Sequence, residues 1–186
     1  MFEFASGLRK LFNFNHYFCI IASIKYRHLN MNKAKLYRPN VAAVIVSNNY
    51  PQKKEIFIAQ RNDLEGVWQF PQGGIDEGEE VKEALFRELE EEIGTNDVEI
   101  IAEYPEWISY DFPSKIARNM QPWIGQRQKY FLVKLKKDAK IDINTQHPEF
   151  NAHKFVKVDD VLDLSASFKQ DVYEKVIDYF KKEDFL

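Results

Sequence analysis

Three glutamates, Glu88, Glu91 and Glu92, lie within a few residues of one another beside Arg87, and Glu79 precedes that arginine in the same acidic stretch. Carboxylates crowded together repel one another, and where hydration is also withheld they take up protons unless cations neutralise them. Hard oxygen ligands of this kind favour Mg²⁺ or Mn²⁺. Arg87 follows Glu83 and precedes Glu91 at the i,i+4 spacing. It can therefore bridge acids on one helix and hold a ligating carboxylate in a single rotamer.

A helix has to present these groups. Residues 79–93 contain neither proline nor glycine, Gly73, Gly74 and Gly78 supply turns before them, and Gly94 provides a stop. At about 100° per residue, with Glu88 at zero, Val81, Leu85, Leu89 and Ile93 form one apolar stripe from about 20° to about 140°. Glu92 at about 40°, Glu88 at zero and Glu91 at about 300° sit on or beside that stripe, while Glu83 and Glu90 point away at about 200° to about 220°. An ordinary amphipathic helix carries its acids on the outer face, so three at the inner edge point to a cation site instead.

The remaining sequence sets bounds. The 186 residues, 45% hydrophobic and 30% charged, suit one globular domain with a sizeable core. A net charge of -3 gives no general attraction to nucleic acid, so a polyanion has to be held by local basic groups and metal ions. Cys19 is the single cysteine and His16, His28, His147 and His153 are scattered, which excludes an intramolecular disulfide and gives no zinc-ligand spacing. A reducing, cytoplasmic setting is expected. The apolar run at residues 17–24 is too short to span a bilayer, and no clear cleavage site follows it, so neither export nor a membrane anchor is expected. Met31 is a natural start. Residues 1–35 are expected to be an extension outside the fold, either an upstream addition or a dispensable tail, and both readings stand.

Residues 40–46 and 55–60 are predicted as hairpin strands around a turn at 47–54, and a short strand ends near Phe70. Residues 98–104, 126–135 and 153–158 read as further strands. Residues 169–182 read as a C-terminal helix with Val172, Val176, Ile177 and Phe180 inward. Strands interleaved with two helices give an α/β fold with a mixed sheet between helical layers.

Residues 73–95, GGIDEGEEVKEALFRELEEEIGT, fit the spacing G-x5-E-x7-R-E-U-x-E-E-x-G-U, with U a bulky aliphatic, everywhere but at the last position, which is Thr95. The segment resembles the Nudix box, with Gly73, Glu79, Arg87, Glu88, Leu89, Glu91, Glu92 and Gly94 at its signature positions. The resemblance covers about residues 36–180 and implies a Nudix-like α/β/α sandwich with a mixed β-sheet, in a domain spanning residues 36–186. The flanking segments YRPNV (37–41), WQFPQGG (68–74), GQRQKYF (125–131), PEF (148–150) and SFK (167–169) are similar to one branch of that family. The branch holds bacterial RNA pyrophosphohydrolases and the closely related diadenosine polyphosphate hydrolases.

The resemblance implies water attack on the 5′-terminal phosphoanhydride of RNA, leaving a 5′-monophosphate and promoting RNA decay, with Mg²⁺ or Mn²⁺ held by Glu88, Glu91 and Glu92. Glu149, on a loop after Pro148, is expected as a further metal ligand or as the base that takes the water proton, so Glu88, Glu92 and Glu149 form the expected catalytic set. Arg38 and Lys169 are candidates for the RNA phosphates. Arg61, Gln126 and Phe168 are candidates for the first bases, Phe168 by stacking. Arg127 and Lys129 alternate with Gln126 and Gln128 on a predicted strand, so one set at most faces the site. Trp68, Phe70 and Tyr130 stand equally as core and as substrate contacts. A hydrolase of dinucleoside polyphosphates or free nucleotides remains open, as does a binding module without catalysis, although the intact box glutamates oppose the latter. No protein partner is evident.

Overall fold

The computed structural model describes residues 36–64 and 66–186, so the expectations for residues 1–35 lie outside the described residues. The chain runs β1 (Tyr37–Val46), β2 (Glu55–Arg61), β3 (Trp68–Gln69), β4 (Gln72–Gly74), α1 (Val81–Ile93), β5 (Val98–Glu103), β6 (Ile108–Asp111) and α2 (Ser114–Asn119). It continues through β7 (Gly125–Leu135), β8 (Phe150–Lys157), a 3-10 turn (Val158–Asp160), α3 (Val161–Leu164) and α4 (Ser167–Lys182). The eight strands form one mixed sheet in the order β3-β2-β1-β7-β5, with β4 on β1, β6 on β7 and β8 on β2.

Side chains alternate across a strand, and here both faces are apolar, so each face demands its own cover. Val41, Ala43 and Ile45 of β1 pack with Ala84, Leu85, Leu89 and Ile93 of α1. Ala42, Val44 and Val46 pack with Val172, Tyr173, Val176, Ile177 and Phe180 of α4. The sheet is thus a filling between two helical layers, as the sequence pattern implies. Each fully buried Leu or Ile contributes about 1.5 to 3 kcal/mol, so the stripe on α1 fixes that helix firmly against β1 and β7.

Helix α1 begins at Val81 after the N-cap Glu80, which forms a capping box with Glu83, while Glu79 just outside it contacts Arg87 and the Asp76 N–H. It ends at Gly94, whose φ of 68° is the left-handed conformation that glycine adopts without a Cβ penalty. A Cβ there would also lie 2.6 Å from the Asp142 carbonyl oxygen, and Asp142 N donates to Ile93 O at 2.9 Å. The helix end therefore anchors the β7–β8 connection. Thr95, in the place of an aliphatic, is buried and its hydroxyl accepts from Asp97 N.

The structure differs from the sequence expectation in several places, β1 and β8 each beginning three residues earlier, at Tyr37 and Phe150. The β1–β2 hairpin is antiparallel, with Val46 opposite Ile56, but the other half of β1 pairs with β4 at Asn40–Gly74 and Ala42–Gln72. The short elements β4, β6, α2 and α3 lack enough residues for a periodic signal. Helix α4 starts at Ser167, two residues earlier than its apolar pattern.

Candidate active site

Helix α1 turns Glu92 into the interior and Glu88 to its edge. Glu92 is 2% exposed and its Oε2 accepts from the Gln72 backbone N–H at 2.8 Å. Its Oε1 is buried without a hydrogen-bond partner. Glu88 lies directly against β4, where a Cβ on Gly73 would fall 1.7 Å from its carboxyl carbon. Only glycine leaves that carboxylate its place. The register that brings Gly73 opposite Val41 thus fits strand to helix through a missing side chain.

Arg87 organises the surrounding acids. Its Nε and Nη2 each donate to Glu79 at 2.8 Å, Nη2 also reaches Gly74 O at 2.7 Å, and Nη1 donates to Glu88 at 2.7 Å and Glu91 at 3.2 Å. The guanidinium holds the Glu79 carboxyl down to about 2. The expected bridge from Arg87 is therefore found at Glu91, whereas Glu83 turns back to the Glu80 N–H. Glu91 is also farther out than the helical wheel suggests, with its side chain 59% exposed. Its place on the wheel is the flank away from Leu89 and Ile93, and Arg87 holds it there.

Glu149 acts on the same cluster from another element. It precedes Phe150, which pairs with Arg61 across β2 and β8, and Asn62 N donates to Glu149 O at 2.9 Å. Its carboxylate is exposed, yet its charge raises the proton affinity of Glu88 and Glu92. Burial is the largest cause of the upward shift at both residues, and for Glu92 the repulsion from Glu149 comes next. Arg61 is engaged by Asp63 through Nε and Nη2, each at 2.7 Å. Arg38 lies over Gly74, where a Cβ would meet its Nη2 at 2.3 Å.

On the α4 side the site is lined by amides. Lys169 is 4% exposed, and its Nζ donates to Gln69 at 3.0 Å and to Gln72 at 2.6 Å. Gln72 donates to Gln126 at 3.2 Å, and Gln128 donates to Asn40 at 2.6 Å and Gln72 at 3.1 Å. The hydroxyls of Tyr110 and Tyr130 donate to Gln126 and Gln128. Burial lowers the Lys169 ammonium to about 7, and its Nζ is cradled by the side-chain carbonyl oxygens of Gln69 and Gln72. Phe168 rests on Tyr110 with ring centres 5.9 Å apart.

The strand alternation resolves in favour of Gln126 and Gln128. Arg127 lies over the Trp107 ring at 5.0 Å, and Lys129 donates to Pro105 O and pairs with Glu103, both at 2.8 Å. Phe70 and Tyr130 are core residues, while Trp68 is half-buried beneath Lys154.

Among the described residues no three His, Cys, Asp or Glu side chains converge as a ready-made cation cage. The chain nonetheless fits a divalent cation. Glu92 presents a buried carboxylate oxygen with no hydrogen-bond partner, and the repulsion among Glu88, Glu92 and Glu149 is only partly offset by Arg87 at Glu88 and by the Gln72 N–H and Lys169 at Glu92, which leaves room for a cation. All three supply hard oxygen ligands.

The family model of the NUDIX domain matches residues 36–177, most of the chain. The chain belongs to the Nudix family. It is 63% identical over 151 residues to the RNA pyrophosphohydrolase of a Nitratiruptor species, covering 81% of this chain and 97% of that protein. It is 59% identical over 156 residues to the RNA pyrophosphohydrolase of Campylobacter jejuni strain 81-176, covering 84% of this chain and 100% of that protein. Among solved structures, the E. coli dihydroneopterin triphosphate pyrophosphohydrolase superposes with a TM-score of 0.61 at 19% identity, over 76% of this chain and 97% of that one. That last likeness concerns the fold alone.

Nudix hydrolases generally use divalent cations, in keeping with the fit of the acidic cluster. Within this Nudix domain, sequence reasoning assigned no role to Asn40, Gln69, Gln72, Tyr110 or Asp63. Gln69 and Gln72 flank Phe70 and Pro71 in the approach to the box, and two glutamines so near the box glycines are the available signal. Among the described residues no helix is long and apolar enough to cross a membrane.

Proposed function

We propose that this protein is an RNA 5′-pyrophosphohydrolase that converts 5′-triphosphate or 5′-diphosphate ends to 5′-monophosphates and so promotes RNA decay. Two relatives at 63% and 59% identity that bear this name over nearly their whole length carry the substrate assignment. Glu88, Glu91, Glu92 and Glu149 would hold Mg²⁺ or Mn²⁺. A divalent cation there supplies Lewis-acid stabilisation of charge on the phosphoryl oxygens.

The protein's own groups supply the rest. Glu149, on an exposed loop at the edge of the cluster, takes the proton of the water as its oxygen bonds to phosphorus and the anhydride P–O bond breaks. Arg87 holds Glu88 and Glu91 in single rotamers, and the Gln72 N–H does the same for Glu92. Phe168, Gln126 and Arg61 meet the first bases, and Arg38 and Lys169 meet the phosphates, Lys169 from within the amide cluster.

The test is a side-by-side assay of triphosphorylated RNA, diphosphorylated RNA and diadenosine tetraphosphate. The expected outcome is a higher kcat/KM on one of the RNA substrates, with a 5′-monophosphate end as product. Preference for diadenosine tetraphosphate would replace this reading with the dinucleoside polyphosphate hydrolase.

A further inference from the structure

Arg61 stands beside the acidic cluster and yet makes its strong contacts elsewhere. Its strand is tied to the segment carrying Glu149, through the Arg61–Phe150 register and the Asn62 N to Glu149 O bond of 2.9 Å. The charges of Glu149 and Glu92 both act on the guanidinium, after the larger effect of Asp63. Its Nε and Nη2 are nevertheless committed to the two carboxylate oxygens of Asp63, each at 2.7 Å. Two parallel bonds fix the plane of a guanidinium, which one bond does not. A pair with Asp63 55% exposed adds little to stability, so its consequence is orientation.

We propose that Asp63 is a positioning residue that holds Arg61 away from Glu149 and Glu92, and thereby keeps those carboxylates available to a divalent cation. Released from the fork, the guanidinium has those two acids as its remaining attraction, and it would bind the oxygens that a metal ion needs. The inference rests on the metal-holding role given to Glu92 and Glu149 above.

Calorimetric titration of Mn²⁺ into the full chain without substrate tests it, using wild type, Asp63→Ala, Arg61→Ala, the double variant and Glu92→Gln. Asp63→Ala is expected to weaken Mn²⁺ binding about three- to tenfold. The decisive point is that the same substitution should have no effect once Arg61 is alanine, because the competing guanidinium is gone. Equal loss in both backgrounds would mean that Asp63 acts by its own charge or through the fold, and would overturn the proposal, as would unchanged binding in Asp63→Ala. If Glu92→Gln binds Mn²⁺ as wild type does, the metal assignment fails and this proposal falls with it.

Discussion

The acidic edge of α1 and the amide cluster beside α4 meet at one residue, Gln72, whose backbone N–H holds Glu92 and whose side chain accepts from Lys169. On the acidic side charge is left incompletely matched: Glu92 keeps an unpartnered buried oxygen, and burial pushes the Glu88 and Glu92 carboxyls upward. On the amide side a single buried lysine donates to neutral amides, most of whose polar atoms are paired, with Gln69 Nε2 the exception. Unmatched charge is costly in a fold and useful for binding a cation, whereas a satisfied amide network is rigid and selects shape and hydrogen-bonding pattern. The first region is suited to chemistry and the second to recognition.

The largest effect should come from neutralising the acidic side. Glu88→Gln or Glu92→Gln should reduce turnover by at least about a hundredfold at saturating Mg²⁺. The melting temperature should hold or rise for Glu92→Gln, since an amide carries no buried charge. Near-normal rates in either variant would remove the metal assignment. Gly73→Ala is the steric counterpart, because its methyl would overlap the Glu88 carboxyl. It should cost about ten- to a hundredfold in activity, with Mn²⁺ affinity falling in parallel. An unaltered Mn²⁺ affinity would show that the place of Glu88 against β4 is immaterial.

Phe168→Ala probes the amide side. Stacking a base on an aromatic ring is worth roughly 1 to 3 kcal/mol, so kcat/KM on a 5′-triphosphorylated oligonucleotide should fall about five- to a hundredfold. Hydrolysis of a free nucleoside triphosphate should change little. Because Phe168 also rests on Tyr110, a modest drop in melting temperature is expected as well. The ratio between the two substrates is what discriminates: equal losses would make Phe168 a core residue and dissolve the contrast between the two regions.

The two regions also differ in how far they can be read from sequence. The acidic cluster is local, since Glu88, Glu91, Glu92 and Arg87 share one helix, and helical geometry fixes their relative directions. Glu91, on the wheel's flank away from the stripe, is the exposed member of the set, and what the wheel alone does not give is the shared guanidinium that holds it. The amide cluster draws Asn40 from β1, Gln69 and Gln72 from the box approach, Gln126 and Gln128 from β7 and Lys169 from α4. No spacing rule joins residues so distant along the chain. The burial of Lys169 follows from tertiary packing, which overrides the usual exposure of lysine. The two-layer cover of the sheet was legible because β1, β2 and β7 are long enough to show apolar faces, and β4, β6, α2 and α3 were not because they are short.

A smaller effect separates charge that stabilises from charge that does chemistry. Glu79 is held at about 2 by Arg87, against an ordinary value of 4.5. A carboxyl lowered in the folded state contributes stability that is whole above its unfolded value and is lost as the pH falls toward the folded one. The Glu79–Arg87 contribution should therefore fade between pH 4.5 and about 2. Chemical denaturation of Glu79→Gln and wild type should differ at pH 6 and converge toward pH 2. A constant difference across that range would show that Glu79 acts through packing.

The smallest expected effect is from removing residues 1–30. The family match begins at residue 36, and the two bacterial relatives align over 97% and 100% of their own lengths while covering only 81% and 84% of this chain. Proteins of that length therefore carry the Nudix domain without a counterpart for the rest of this chain. Both regions of the site are built from residues at or beyond Arg38. The truncated protein should keep its kcat/KM on triphosphorylated RNA and its melting temperature. Loss of soluble, active protein would place part of the segment in the fold, whereas loss of activity on long RNA alone, with short oligonucleotides unaffected, would make it an auxiliary binding element.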